Sequence, residues 1–154
     1  MELTVRPGRA DEPPGSELLG AMLAELTPLY GRIDVPGAPT ATPEQMAPPD
    51  GAFLVVWRGE DPVACGGLKR LDAEACEIKR MFVEPHARGA GVAGVLLVAL
   101  EEEARRLGYA IARLDTGPRQ PHAQRMYERA GYRPIDNFNA NPFASFWGEK
   151  RLEA

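Results

Sequence analysis

The stretch Arg88-Gly89-Ala90-Gly91-Val92-Ala93 constrains this chain more than any other. It stands between a strand-like run, Cys76 to Val83 (CEIKRMFV), and the amphipathic run Gly91 to Leu107. The latter reads as a helix closed by Gly108 at the C′ position. A glycine weakens a helix by roughly 0.5–1 kcal/mol relative to Ala, so glycines at the mouth of a strong helix need a physical reason. The order strand, glycine turn, helix supplies one. It leaves free backbone N–H groups at the positive end of the helix dipole, and glycines let an anion reach them. Arg88 adds a fixed positive charge. The turn reads either as a phosphate cradle or as a tight turn with a close helix–sheet contact.

Two familiar phosphate motifs fit poorly. A P-loop needs Gly-Lys-Ser/Thr, whereas Gly91 is followed by Val92-Ala93-Gly94. A dinucleotide fingerprint can be drawn through Gly89, Gly91 and Gly94. That fingerprint should open an all-parallel unit, and here it follows strands joined by short turns in mid-chain.

Those strands are Ala52 to Trp57 (AFLVVW), Pro62 to Leu71 (PVACGGLKRL) and Cys76 to Val83, read as an antiparallel meander. Gly66-Gly67 suggests a bulge or a close backbone approach. Earlier, Glu2 to Arg6 alternates as a short first strand. Ser16 is expected to cap the helix SELLGAMLAELTPLYG. Gly31 to Gly51, with five prolines, reads as a long loop. After the central helix, Tyr109 to Thr116 should form a strand parallel to the one before it, as a helix crossover requires. Gln120 to Ala130 forms a late helix ended by Gly131. Tyr132 to Ile135 begins the last sheet segment, and an aromatic tail, Asn137 to Trp147, makes a final strand or covering loop. The fold class is mixed α+β, and 154 residues suit one domain.

Composition narrows the function. Net charge is −4, from 18 basic and 22 acidic residues, which argues against a nucleic-acid or membrane surface. If the meander turns near Asp72 to Glu74, Cys65 pairs near Phe82 rather than Cys76. No disulfide is then expected, and two free thiols fit a reducing, cytoplasmic setting, as does an N-terminus without an apolar signal core. Two histidines and no C-x-x-C argue against a metal.

The motif from Arg88 to Ala93 matches R/Q-x-x-G-x-G/A, follows EIKRMFVEP and precedes a helix ending in Leu107-Gly108-Tyr109. Downstream stands Gln120-Pro-His-Ala123-Gln-Arg-Met-Tyr127-Glu-Arg-Ala-Gly131-Tyr132. Together, over roughly Phe53 to Tyr132, these resemble the GNAT superfamily of acetyl-coenzyme A-dependent N-acyltransferases. The resemblance implies a central, mostly antiparallel mixed sheet of six to seven strands flanked by about four helices. It implies that backbone groups of Gly89, Ala90, Gly91, Val92 and Ala93, beside Arg88, hold the coenzyme A pyrophosphate. Main-chain groups of Met81, Phe82 and Val83 would pair with the pantetheine arm where the sheet splays after Val83. Gln120 stands where the family most often has Asn, and with Ala123 it belongs to the cofactor site. A homodimer is common in such a family.

Acetyl transfer to an amine needs a base, because a lysine-like ammonium has a pKa of about 10.4, and an acid for the departing thiolate. The resemblance points to Glu77 as base, directly or through a water, and to Tyr127 as acid. The blander alternatives are a carboxylate paired with Lys79 or Arg80, and a tyrosine that packs the late helix. Cys65 and Cys76 lack an activating partner, so direct attack by the amine is preferred. His86 and His122 flank the turns. Arg119 and Arg125 can meet the 3′-phosphate or form a solvated helix face. The loop Gly31 to Gly51 and the aromatic tail would wall a pocket for a small-molecule amine, with Asp34, Glu44, Asp50 and Asp136 attracting its charge. The acceptor stays open between an amino acid, a polyamine, an aminoglycoside-like drug and a peptide N-terminus. The alternatives are a non-catalytic acyl-coenzyme A-binding regulatory module and an unrelated nucleotide-binding domain.

Overall fold

The computed structural model describes residues 2–31 and 40–153. Its strands are β1 (Leu3–Pro7), β2 (Ala52–Arg58), β3 (Asp61–Arg70), β4 (Ala75–Val83), β5 (Ile111–Thr116), β6 (Arg133–Pro134) and β7 (Phe146–Arg151). They form one sheet in the order β1-β2-β3-β4-β5-β7-β6. All neighbours pair antiparallel except β4 and β5, which are parallel, as the crossover through α2 (Val92–Arg106) dictates. Two further helices, α1 (Gly15–Tyr30) and α3 (Pro121–Arg129), complete the described elements together with a single 3-10 turn at Pro85–Ala87.

Both faces of the sheet are covered, and β2 shows why. All of Ala52 to Val56 is buried, which a strand with one wet face cannot achieve. Leu54 and Val56 join the core under α2 with Leu96, Leu97, Leu100 and Ala104. Phe53 and Val55 point the other way, into a second core with Leu18 and Met22 of α1, Met46 and Phe82. Each fully buried aliphatic side chain contributes about 1.5–3 kcal/mol of transfer free energy. Gly67 is required by that second core, because a Cβ there would lie 2.5 Å from the Met46 sulfur. Among the described residues, no helix is long and apolar enough to cross a membrane.

The α1 start differs from expectation. The helix begins at Gly15, one residue before Ser16, and its N-cap is Pro14 with no side-chain cap bond. Tertiary packing overrides the capping preference: a Cβ on residue 15 would lie 2.2 Å from the Arg9 carbonyl oxygen and 2.7 Å from Phe53. The hairpin register is the expected one, with Cys65 opposite Phe82 and both cysteines free and buried. Burial pushes both thiols up to about 12. The glycine pair does sit at a bulge, for the β3–β4 register slips between Cys65 and Gly67.

The sheet opens earlier than expected. β4 and β5 pair only at Ala75–Ile111, Cys76–Ala112 and Glu77–Arg113. Beyond Glu77, β4 stays on β3 as far as Val83, and β5 stays on β7 as far as Thr116. The fork therefore starts six residues before Val83, not after it. The reason is local: Arg80 takes φ 61°, a left-handed conformation, and a bulged strand bends away from its neighbour.

Candidate active site

The fork creates two clefts that meet at its centre. The larger, about 540 Å³, runs along Met81, Phe82 and Val83, past Arg88 and Ala93, to Arg119, Gln120, Ala123 and Tyr127. The smaller, about 200 Å³, lies on the other side of Tyr127 between Lys79, Arg80, Asp115, Thr116, Asn141 and Phe143. Met81, Gln120, Ala123 and Tyr127 line both.

The glycine turn leaves its amides free. Gly89 and Gly91 have φ of 84° and 77°, and neither has a neighbour within 4 Å of a built Cβ. Their glycine identity thus serves backbone conformation, not a close helix–sheet contact. Among the described residues, the amides of residues 89–94 donate to no backbone or side-chain acceptor, and Gly91 is the N-cap of α2. A row of free amides on a helix N-terminus is an anion site. Arg88 lies beside it with its charge offset: Nη2 donates to both Glu25 oxygens at 2.7 and 2.8 Å, and Nε donates to the Val83 carbonyl at 2.9 Å. Arg88 thereby ties α1 to the turn.

Tyr127 is buried on α3, where Gln120 is the N-cap and Pro121 the first residue. Its hydroxyl donates to the Met81 sulfur at 3.6 Å. Burial first, and Asp115 second, raise its pKa above the tyrosine range, so it stays protonated at any working pH. Gln120 accepts at 3.3 Å from the hydroxyl of Tyr30. Gly117 makes room for that tyrosine, since a Cβ there would lie 2.3 Å from the Tyr30 oxygen.

Glu77 lies behind the smaller cleft and lines neither. It is 2% exposed, accepts from Asn139 Nδ2 at 2.8 Å, and pairs with Lys79 Nζ at 3.3 Å. The same Asn139 amide donates to Asp115 Oδ2 at 2.5 Å, and Asn141 adds a second bond to that oxygen at 3.1 Å. The Trp147 indole N–H fixes Asn139 from the far side at 3.0 Å. Two carboxylates from two strands are thus bridged by one tail amide.

The walls of the smaller cleft differ in part from expectation. The tail contributes Asn141 and Phe143. Met22, Leu26 and Tyr30 of α1 take the place expected for the loop between 31 and 51, whose described part does not line it. Glu44, Asp50 and Asp136 do not line it, and Asp34 lies outside the described residues. His86 is exposed, pairs with Asp61 and lines neither cleft; His122 lines the larger cleft and contacts Arg125 at 2.8 Å. Sequence reasoning missed Arg80, Asp115, Asn139, Asn141 and Tyr30. Asp115 had a readable signal, an acid at the carboxyl end of a parallel strand. The others depend on where the tail and α1 land.

A forked sheet with a backbone-built anion cradle at its mouth is the architecture of acyltransferases that draw on an acyl thioester. The chain matches the Acetyltransferase (GNAT) family over residues 20–132, and it belongs to that family of acyltransferases. It is 35% identical over 108 residues to the "IAA acetyltransferase" of Azospirillum brasilense, covering 67% of this chain and 70% of that one. Its fold resembles an acetyltransferase of the GNAT family from Staphylococcus aureus Mu50, with TM-score 0.81 and 18% identity over 99% of this chain and 100% of that one. A GNAT family acetyltransferase from Elizabethkingia anophelis, solved with acetyl-CoA bound, gives TM-score 0.69 and 18% identity over 97% and 98% of the two chains.

Proposed function

We propose that the chain is an N-acetyltransferase that moves an acetyl group from acetyl-coenzyme A to the amine of a small molecule by direct attack. The observation that carries this reading is that Tyr127 lines both clefts, so one protonated hydroxyl stands where a thioester in the larger cleft meets an amine in the smaller. The coenzyme, when bound, supplies an activated acetyl group on sulfur. Free amides of residues 89–94 hold its pyrophosphate, and the unpaired edge of Met81, Phe82 and Val83 holds its arm. Arg88, Gln120 and Ala123 complete the walls of that cleft.

The incoming nitrogen forms the new C–N bond as the C–S bond breaks. Tyr127 donates its hydroxyl hydrogen toward the departing sulfur. The ammonium sheds two protons: one goes to a carboxylate before attack, and the second, from the acylated nitrogen, replaces the hydrogen that Tyr127 gives to sulfur. Of the bridged pair, Asp115 faces the smaller cleft, and we assign it the direct contact. Glu77, the base to which the family resemblance points, stands behind it and holds Lys79 in place through the buried ion pair.

The test is a calorimetric titration with acetyl-coenzyme A beside a thiol-release assay on an amine panel. Tyr127→Phe should keep acetyl-coenzyme A affinity within a few-fold, while kcat falls about 10²–10⁴-fold, the range for loss of a general acid. Unchanged kcat would remove Tyr127 from the chemistry. Absence of acetyl-coenzyme A binding would end the reading. Binding without thiol release from any amine would favour the regulatory module instead.

A further inference from the structure

Arg80 is unused by the cradle and by the acid–base pair. It is not a glycine, yet it holds φ 61° at the bulge of β4, a conformation that costs an ordinary side chain about 1–2 kcal/mol. Gly66 on β3 faces the bulge, and a Cβ there would sit 3.2 Å from Met81 and about as close to Leu96 and Leu100. The bulge is therefore built from both strands, and its effect is to turn the Arg80 side chain into the smaller cleft.

Among the described residues, three charged ones line that cleft: Lys79, Arg80 and Asp115. Lys79 is paired with Glu77 at 3.3 Å, and Asp115 is bonded by Asn139 and Asn141. Among the described residues, Arg80 has neither a carboxylate within 4.0 Å nor a hydrogen-bond acceptor for its guanidinium. Burial lowers its pKa, and the more distant Glu77 and Asp115 act against that. None of its nitrogens is both buried and unpaired, so its five N–H donors stay open to a ligand entering the cleft. Its planar fork suits a carboxylate, bound through two parallel N–H bonds.

The charge around the cleft balances. Among the described residues, Lys79 and Arg80 offset Glu77 and Asp115, leaving the site polarised, with a cation at Arg80 and an acid at Asp115. A polycation would meet Arg80 and Lys79, and a phosphate dianion would meet Asp115. A zwitterion satisfies both ends.

We propose that Arg80 is the carboxylate receptor of the acceptor cleft and that the acceptor is a small amino acid-type molecule. Its carboxylate sits on Arg80, and its amine faces Asp115 and Tyr127. This inference rests on the acetyltransferase reading, and it narrows the acceptor from amines in general to amino carboxylates.

Matched pairs test it: α-amino acids and their carboxamides, each offered with acetyl-coenzyme A in the thiol-release assay. Turnover should favour the carboxylate member of a pair by about 10- to 100-fold in kcat/KM, as for one charge-assisted hydrogen-bonded contact. Arg80→Met should raise KM for the amino acid by a similar factor, move kcat much less, and abolish the preference within the pair. Arg80→Gly is the second variant. It relieves the left-handed backbone, so its melting temperature should hold or rise while the same preference disappears. Carboxamides that perform as well as amino acids, an Arg80→Gly enzyme with unchanged KM, or turnover of neither set by a protein that binds acetyl-coenzyme A would each overturn the inference. Failure to bind acetyl-coenzyme A, read separately by calorimetry, would sink the acetyltransferase reading and this inference with it.

Discussion

The two clefts on either side of Tyr127 are built from different materials. The larger is walled by side chains of α1 and α3, but its free polar groups are main-chain ones: the amides at the α2 N-terminus beside left-handed Gly89 and Gly91, and the edge of β4 that β5 leaves beyond Glu77. The smaller is made by side chains delivered from α1, β4, β5 and the tail, with Asn139 joining Glu77 to Asp115. A backbone site tolerates change in most side chains and recognises what the family shares. A side-chain site can be retuned one residue at a time, and that is where an acceptor is chosen.

The sharpest way to break this comparison is at Asp115. Asp115→Asn keeps the hydrogen-bonding shape but removes the carboxylate facing the cleft, so kcat/KM should fall about 100-fold, within the range for loss of a general base. Acetyl-coenzyme A affinity should not change. Glu77→Gln should act through stability instead. It leaves Lys79, 8% exposed, without its partner, and breaking a buried pair typically costs about 3–5 kcal/mol. A thermal melt read beside kcat separates the two. If Glu77→Gln loses turnover at unchanged stability, the base assignment moves back to Glu77.

A smaller effect is expected at the cradle. Gly91→Ala must hold φ 77° with a Cβ, at about 1 kcal/mol or slightly more. Acetyl-coenzyme A should bind several-fold more weakly, while the ratio between amino acids and carboxamides stays put. A change in that ratio would mean that the clefts are not independent.

Alkaline melts probe the core that supports both clefts. Cys65 and Cys76 are held near 12 when folded but ionise near 9 when exposed. The folded state thus keeps protons that the unfolded chain gives up. Stability should be intact below about pH 9 and fall as pH rises from there toward 12, by roughly 1 kcal/mol per thiol at pH 10. Cys65→Ala with Cys76→Ala should flatten that slope. An unchanged slope would place the alkaline loss elsewhere.

The gentlest test is Glu25→Gln. It releases Arg88 from an ion pair that is about half exposed and hence contributes little to stability. The freed guanidinium should strengthen acetyl-coenzyme A binding a few-fold, most clearly at low salt. Weaker binding would show that the Glu25 contact positions Arg88 for the coenzyme.

Much of the larger cleft was legible because it depends on local order. Strand, glycine turn and helix are contiguous, so the turn from Gly89 to Ala93 could be read directly, as could the late helix carrying Gln120, Ala123 and Tyr127. The parallel β5 and the Cys65–Phe82 register followed from crossover and turn rules. The capping role of Ser16 did not hold, because the fit of Gly15 against Arg9 and Phe53 outweighs a local hydrogen bond.

What the sequence determined by itself was the order of elements, their amphipathic faces and the anion cradle, since each is set by neighbours within a few turns of chain. Only tertiary structure decided where the sheet forks, that Arg80 turns into the smaller cleft, and that Asn139 joins Glu77 to Asp115. A bulge trades one residue of register for a bend, and Asn139 stands 62 residues from Glu77 in the chain. Such choices depend on how β3, β4 and the tail pack together, and no local pattern of residues encodes that.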